Sequence, residues 1–376
     1  MRARFEPDAS LDMGPISMSR RVDLVVPGDP AQLTGGYLYD ANIAASLRAQ
    51  GWTVTVHGLP GRFPDADAQA REALDATLSA LPAGRQVVID GLALGGLPEL
   101  AHAHAGRLDL IALIHHPLAD EGGLCTTLQR CLLASERAAL AAARTVITTS
   151  RHTARRLAHF GVRPNRLQVV EPGVRALPLA VADADIPKLL CVASLTPRKG
   201  HGLLVAALAR VADLDWQCDC IGSLARDPVH AGTIAAQIAA AGLDGRVRLS
   251  GECTDDALCA AYAAADLFVL PSRYEGYGMV ITEAVAAGLP VLTTSGGALG
   301  ETLPHGAGLA LPVDDVDAFA SALRDLLSNR EHRLQLRDGA RRARSSLRDW
   351  TRAGFEFATA LDRHAATNHL AQGRHA

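Results

Sequence analysis

The sequence predicts an α/β protein built from two doubly wound domains. Short apolar runs alternate with helical patterns through both halves, and the alternation breaks once, at Glu171-Pro172-Gly173-Val174. The chain has 376 residues, enough for two cores of ordinary size. In the first half, a strand at Val22–Val26 leads through PGDP and the turn Leu33-Thr34-Gly35-Gly36 into a helix over Tyr37–Gln50 that Gly51 ends. Strands then fall at Val54–His57, Gln86–Asp90, Leu108–His115, Thr145–Thr149 and Leu167–Val170, with helices at Asp67–Leu81 and Thr126–Ala143. Ser150 is placed to cap a helix starting near His152. Residues 173–185 read as the linker.

The second half restarts at Lys188–Val192 and passes through Ser194-Leu195-Thr196-Pro197-Arg198-Lys199-Gly200-His201 into a helix over Gly202–Ala212. Strands follow at Gln217–Ile221, Val247–Ser250, Ala265–Leu270 and Pro290–Thr293, separated by helices at Ala231–Ala241, Asp255–Ala264 and Val280–Ala287. Two amphipathic helices at Val316–Leu327 and Glu331–Arg344 precede a last helical segment from Asp349 to Arg363.

Composition narrows the function. A net charge of −3 with 20 % charged residues gives no basic field for nucleic acid or for a strongly anionic membrane. The seven cysteines are scattered in spacings that match no common zinc pattern and read as reduced, buried thiols. No apolar run is long enough to span a bilayer, and residues 1–20 lack the apolar core of a signal peptide. They read as a disordered leader, with Met18 as an alternative first residue. The expected location is cytoplasmic, with peripheral contact at a membrane surface left open.

The densest chemistry lies in Pro271–Glu301, PSRYEGYGMVITEAVAAGLPVLTTSGGALGE. Leu267–Leu270 is a short apolar run closed by Pro271 and Ser272, as expected of a parallel strand buried on both faces. A glycine-rich loop and a helix follow, then another apolar run, which makes a βαβ unit whose carboxyl edge is the usual ligand crevice of an open α/β sheet. Gly276 and Gly278 would let backbone amides approach a ligand, and amides at the helix start, Met279 and Val280 among them, favour an anion. Glu275 and Glu283 would repel phosphate but accept hydrogen bonds from hydroxyls, so the pair beside an anion site suggests a polyhydroxylated phosphate ester.

This stretch resembles the Glu, seven residues, Glu signature of the retaining glycosyltransferases of family 4, with SGGALGE similar to its Gly-Gly-x-x-x-Glu continuation. The resemblance implies a GT-B fold, two Rossmann-like domains facing across a cleft. It implies an acceptor domain over 21–175, a nucleotide-sugar domain over 176–350, a helix over 351–366 crossing back, and a disordered tail over 367–376. It also places Glu275 on the transferred sugar and Glu283 on the nucleotide ribose.

Four further positions follow from residues and resemblance together. Arg198 and Lys199 sit between a strand and a helix, where cations can neutralise a diphosphate leaving group. The resemblance puts Lys199 on the phosphates and shows Ser194 where the family commonly has Arg. Gly35 and Gly36 open a helix and would present amides to the donor diphosphate. Of His115 and His116 at the end of an apolar strand, alternation lets one face the cleft, and the count favours His115 against the donor sugar, with His116 packing behind it. Asp120 and Glu121 read as solvated loop acids. Gly251 and Glu252 correspond to the family's loop near the base, while Asp255 and Asp256 suit a helix start.

The implied reaction moves a sugar, expected to be a hexose, from a UDP- or GDP-sugar to a small-molecule, lipid or glycan hydroxyl, with retention and without a metal. His115, Glu275 and Lys199 are the expected catalytic residues. The competing readings are a GT-B epimerase or phosphorylase, and a sugar-nucleotide-binding protein without turnover.

Overall fold

The structure is a computed structural model that describes residues 20–181 and 186–372. It contains two parallel six-stranded sheets. The first is ordered β2-β1-β3-β4-β5-β6, from β1 (Arg21–Pro27), β2 (Thr53–Leu59), β3 (Gln86–Asp90), β4 (Asp109–Ile114), β5 (Thr145–Thr148) and β6 (Leu167–Val169). The second is ordered β12-β11-β10-β7-β8-β9, from β7 (Lys188–Val192), β8 (Gln217–Ile221), β9 (Val247–Gly251), β10 (Leu267–Leu270), β11 (Val291–Thr294) and β12 (Gly308–Leu311). In each sheet the order reverses beside the first strand of its half, and the loops that follow the strands there open into one cleft.

Central strands read as uninterrupted apolar runs because helices cover both faces: β4 and β10 are buried along their whole length. The two faces of the first sheet carry separate cores, one around Leu74, Ile89 and Leu140, the other around Tyr39, Ile43 and Phe357. One continuous core holds the second half.

The last helix, Trp350–Gln372, packs on the first sheet through Ala353, Phe357 and Leu361. Ser46 donates to the Trp350 carbonyl at 2.9 Å, and Gln86 to the Leu361 carbonyl at 3.0 Å. The chain's two passages between halves run side by side: Val174 N–H donates to the Arg348 carbonyl at 2.8 Å. A side chain on Gly173 would strike the backbone of Asp349 and Trp350, so only glycine lets the two passages touch.

The structure departs from the sequence reading in a few places. Helices at Gly91–Gly95 and Pro98–Ala105 fill the stretch between β3 and β4, and the edge strand β12 and the helix Leu299–Thr302 follow β11. All four are short and glycine-rich or proline-started, too brief to show a period. The final helix continues past 366 to Gln372, and residues 373–376 lie outside the described residues, as do residues 1–19 of the expected leader and 182–185 of the linker.

Candidate active site

The cleft has a volume of about 390 Å³ and is walled by loops of both halves. On the second-half wall, β7 ends at Val192 and the chain turns through Pro197–Lys199 to the left-handed Gly200. This turn aims two cations at one carboxylate. Lys199 Nζ lies 2.6 Å from Glu275 Oε1, and Arg198 Nη1 lies 3.1 Å from Glu275 Oε2. Ser272 Oγ donates to the same Oε1 at 2.7 Å. Burial alone would raise the Glu275 carboxyl, but Lys199, Arg198 and Ser272 together hold it down to about 2. Burial lowers Lys199, with Glu275 pulling the other way.

Arg198 also reaches across the cleft. Its Nε donates to Glu121 Oε1 at 3.1 Å, and His116 Nε2 lies 2.9 Å from Glu121 Oε2. Burial pushes Glu121 up, but His116 and Arg198 bring it to about 2. The cationic turn is thus neutralised from both sides, by Glu275 within its own half and Glu121 from the other.

On the first-half wall, the helix Gly35–Ala49 starts at Thr34 with no side chain capping its first amides. A Cβ on Gly35 would meet nothing within 4 Å, so the uncapped helix start stands open where it lines the cleft. Gly36 has a different reason: a Cβ there would come within 3.3 Å of the His115 ring, which lies under the turn. His115 also meets the Tyr39 ring edge-on at 5.3 Å. Its Nε2 stands 3.2 Å from Asp40 Oδ1 and 3.4 Å from Asp90 Oδ2, close but poorly aligned, so that neither Asp40 oxygen has an aligned hydrogen bond. Burial disfavours the imidazolium, yet Asp40 and Asp90 outweigh it and raise His115 well above its ordinary range. Asp40 itself is pushed up by burial, partly offset by His115.

Glu283, on the helix Met279–Ala286, accepts from Tyr262 hydroxyl at 2.8 Å, and burial raises its carboxyl. Ser194, Met279, Val280, Gly276 and Gly278 also line the cleft. Gly278 has φ of 93° and a Cβ there would meet Leu299, whereas Gly276 presses its backbone on the His115 carbonyl of the other half. Both glycines therefore answer to packing before any ligand.

The structure brings together every expected site residue but one. Gly251 stands behind the wall, its carbonyl accepting from Gly222 N–H at 2.9 Å, and Glu252 lines the cleft in its place. The histidine alternation also fails: β4 stops at Ile114, so His115 and His116 lie beyond the pleat and both line the cleft. Asp120 and Glu121 are not free loop acids but are both paired. Asp120 takes Arg156 in a two-pronged pair at 2.7 and 2.8 Å, and Glu121 joins the cationic turn. Asp40, Asp90 and Arg226 were not singled out by the sequence. Arg226 donates to Gln32 across the rim at 2.8 Å. Asp90 ends a buried strand ahead of a glycine, a signal available in the sequence, whereas Asp40 is one polar residue on a helix.

Two groups of side chains could hold a metal among the described residues. Asp40, Asp90 and His115 offer hard oxygens and one imidazole inside the cleft, and Cys191, His201 and Cys220 offer two thiols and one imidazole behind it.

A glycine-rich, cation-bearing cleft between two doubly wound sheets suits an anionic ligand, and comparison with known proteins narrows the class. The family described as "Glycosyl transferases group 1" matches residues 181–343, and that described as "Glycosyltransferase Family 4" matches residues 39–176. D-inositol 3-phosphate glycosyltransferase 1 of Catenulispora acidiphila is 30% identical over 254 residues, covering 61% of this chain and 58% of that protein. The chain thus spans little more than half the length of this curated relative. Sucrose-phosphate synthase from Thermosynechococcus elongatus superposes with a TM-score of 0.78 at 22% identity, over 93% of this chain and 100% of that one. Anabaena Alr3699/HepE in complex with UDP and glucose gives a TM-score of 0.71 at 19% identity, over 91% and 99%. The structural likenesses carry the GT-B fold. The chain belongs to the family 4 type of glycosyltransferases.

Proposed function

We propose that this chain transfers a hexosyl group from a nucleoside diphosphate sugar, UDP- or GDP-linked, to an acceptor hydroxyl with retention at the anomeric carbon. The observation that supports this most is the Lys199–Glu275–Arg198 interlock facing His115 across the cleft. An incoming diphosphate competes for both cations and frees the Glu275 oxygens, which then accept from sugar hydroxyls. Charge building on the leaving diphosphate is stabilised by Lys199, Arg198, the Gly35 amide and the amides at the start of the helix Met279–Ala286. Ser194 adds a hydroxyl where the cation is absent, and Arg198 is the replacement charge. Glu283 offers a ribose hydroxyl the oxygen that Tyr262 does not occupy. The sugar lies between Glu275 and the imidazolium of His115, which donates to a hydroxyl. The leaving phosphate accepts the acceptor's proton on the face it departs from.

Lys199 and Arg198 supply the charge that a divalent ion would otherwise bring, so transfer proceeds without one. Residues 21–175 supply the acceptor side and 176–350 the donor side, with Glu252 near the base. The names of the relative and of the neighbouring sucrose-phosphate synthase make a small polyol or its phosphate the first acceptor class for assay, ahead of lipids and glycans. The neighbour bound to UDP and glucose favours a UDP-sugar as the first donor.

A thermal-shift screen of UDP-, GDP- and ADP-sugars tests the reading, because a ligand that binds only the folded state raises the melting temperature. One donor should stand out, and its turnover should vanish in Glu275→Ala and be unchanged by added Mg²⁺ or Mn²⁺. A chain that no sugar nucleotide stabilises would refute the proposal. Conversion of the sugar nucleotide without any acceptor would instead favour an epimerase.

A further inference from the structure

Behind the cationic turn, outside the lining of the cleft, three soft donor atoms converge. Cys191 on β7 stands in register with Cys220 on β8, so the two thiols project side by side. His201, the first residue of the helix His201–Ala209, lies over them, with Nε2 3.9 Å from Cys191 Sγ. The ligand atoms of Cys191, His201 and Cys220 all lie within 4.8 Å of one another, and the three residues are 0 %, 1 % and 2 % exposed. A third thiol, Cys218, sits two residues before Cys220 and so on the same face of the strand.

Buried thiols alone are ordinary core residues. The imidazole is what calls for an explanation. His201 Nδ1 is buried with no hydrogen-bond partner, and Nε2 has only the distant sulfur, so an aromatic ring with two polar atoms is enclosed without being satisfied. Tetrahedral zinc with ordinary bond lengths holds a sulfur and a nitrogen ligand about 3.6 Å apart. The Cys191–His201 separation is already close to that, and the Cys220 thiol lies within 4.8 Å of both ligand atoms.

We propose that Cys191, Cys220 and His201 bind a zinc ion, with Cys218 as the nearest fourth donor. Two thiolates and a neutral imidazole suit a soft, borderline cation and disfavour magnesium or calcium. Both thiols give up their protons to solvent on binding, so each zinc taken up releases two protons, and a third if Cys218 ligates. The ion ties the start of the helix to two adjacent strands of the second sheet, β7 and β8. His201 is two residues beyond Lys199, and Gly200 between them packs on the Pro271 carbonyl, so the clamp also fixes the turn that carries the site's cations. The ligands come from two strands and a helix with no close sequence spacing, which is why no zinc signature is visible in the chain.

The full chain is refolded with ZnCl₂ or with a chelator, dialysed, and assayed for metal content, proton release and melting temperature. About one zinc per chain, two to three protons per zinc and a melting temperature several degrees higher are expected. Cys191→Ser and His201→Ala should lose the zinc, and Cys125→Ser, an exposed thiol on the other half, should keep it. Should either core variant fail to fold, the wild-type comparison decides. Equal melting temperatures with and without zinc, no retained metal, or zinc bound as tightly by Cys191→Ser would each overturn the site.

Discussion

Glu275 and Glu136 are both buried carboxylates, yet one is held down to about 2 and the other pushed up to about 8. The difference is the partner. Glu275, in the second half, faces Lys199 and Arg198, whereas Glu136, in the first, is buried under Leu118 and receives its backbone amide at 3.0 Å. An amide dipole does not match a full charge in offsetting desolvation. Glu283 shows the same rule within the second half, since its partner is the neutral Tyr262 and its carboxyl is raised. The second half thus stores paired charge where a diphosphate would dock. The first half surrounds its histidine with carboxylates, Asp40 and Asp90, that have no lysine or arginine among the contacts described.

The largest expected effect breaks the cationic side. Lys199→Ala should lower transfer by about 10²–10³-fold, the range seen when one preorganised charge-stabilising group is lost. Steady-state rates at saturating acceptor measure this. A loss under tenfold would mean that Arg198 alone carries the diphosphate.

The two carboxylates should also give opposite pH signatures. Glu136 binds its proton more tightly folded than unfolded, so the stability it contributes is present below its ordinary value of 4.5 and lost as pH rises toward about 8. The loss is at most about 1.4 kcal/mol per pH unit in that window. Glu275 does the reverse: its contribution is present above 4.5 and lost as pH falls toward about 2. Urea midpoints at pH 5, 6.5 and 8 should show Glu136→Gln with a flatter decline than the parent chain. Parallel curves would show that Glu136 does not hold its proton.

How readable the two halves are in sequence follows the same contrast. Glu275 and Glu283 of the second-half wall come from one contiguous run, Pro271–Glu301, because a βαβ unit brings strand end, loop and helix start together by local connection alone. The first-half wall is assembled from the starts or ends of three separate elements. Asp40 gives no signal on its own helix and acquires its role only when β3 and β4 lie side by side. His115 lines the cleft as the alternation predicts, but so does His116, because the pleat ends at Ile114 and alternation no longer applies beyond it. Glu121 reads as a solvated acid in the sequence because its partner, Arg198, is 77 residues away in the other half.

Asp40→Asn addresses the histidine. With Asp40 neutral, the imidazolium loses one of the two charges that raise it, and its titration should move down by about one pH unit. The His115 ring-proton signal followed by NMR measures the shift, and the alkaline limb of any rate profile that depends on the imidazolium should move with it. An unchanged titration would assign the effect to Asp90 alone.

The smallest effect concerns the contact that joins the halves. Glu121 occupies Arg198, and on the proposed reading a diphosphate would have to displace that carboxylate to gain the cation. Glu121 is half exposed, so the pair is worth on the order of 0.2–1 kcal/mol. Glu121→Gln removes the competing charge but keeps a side chain of the same length to meet His116. The donor KM should therefore fall about two- to fivefold while kcat changes little. A rise in KM instead would mean that Glu121 helps to bind the donor and that Arg198 does not turn to the phosphates. The charge at Glu275 would then be the one a diphosphate displaces, and the Lys199 side would carry the leaving group without help from its neighbour.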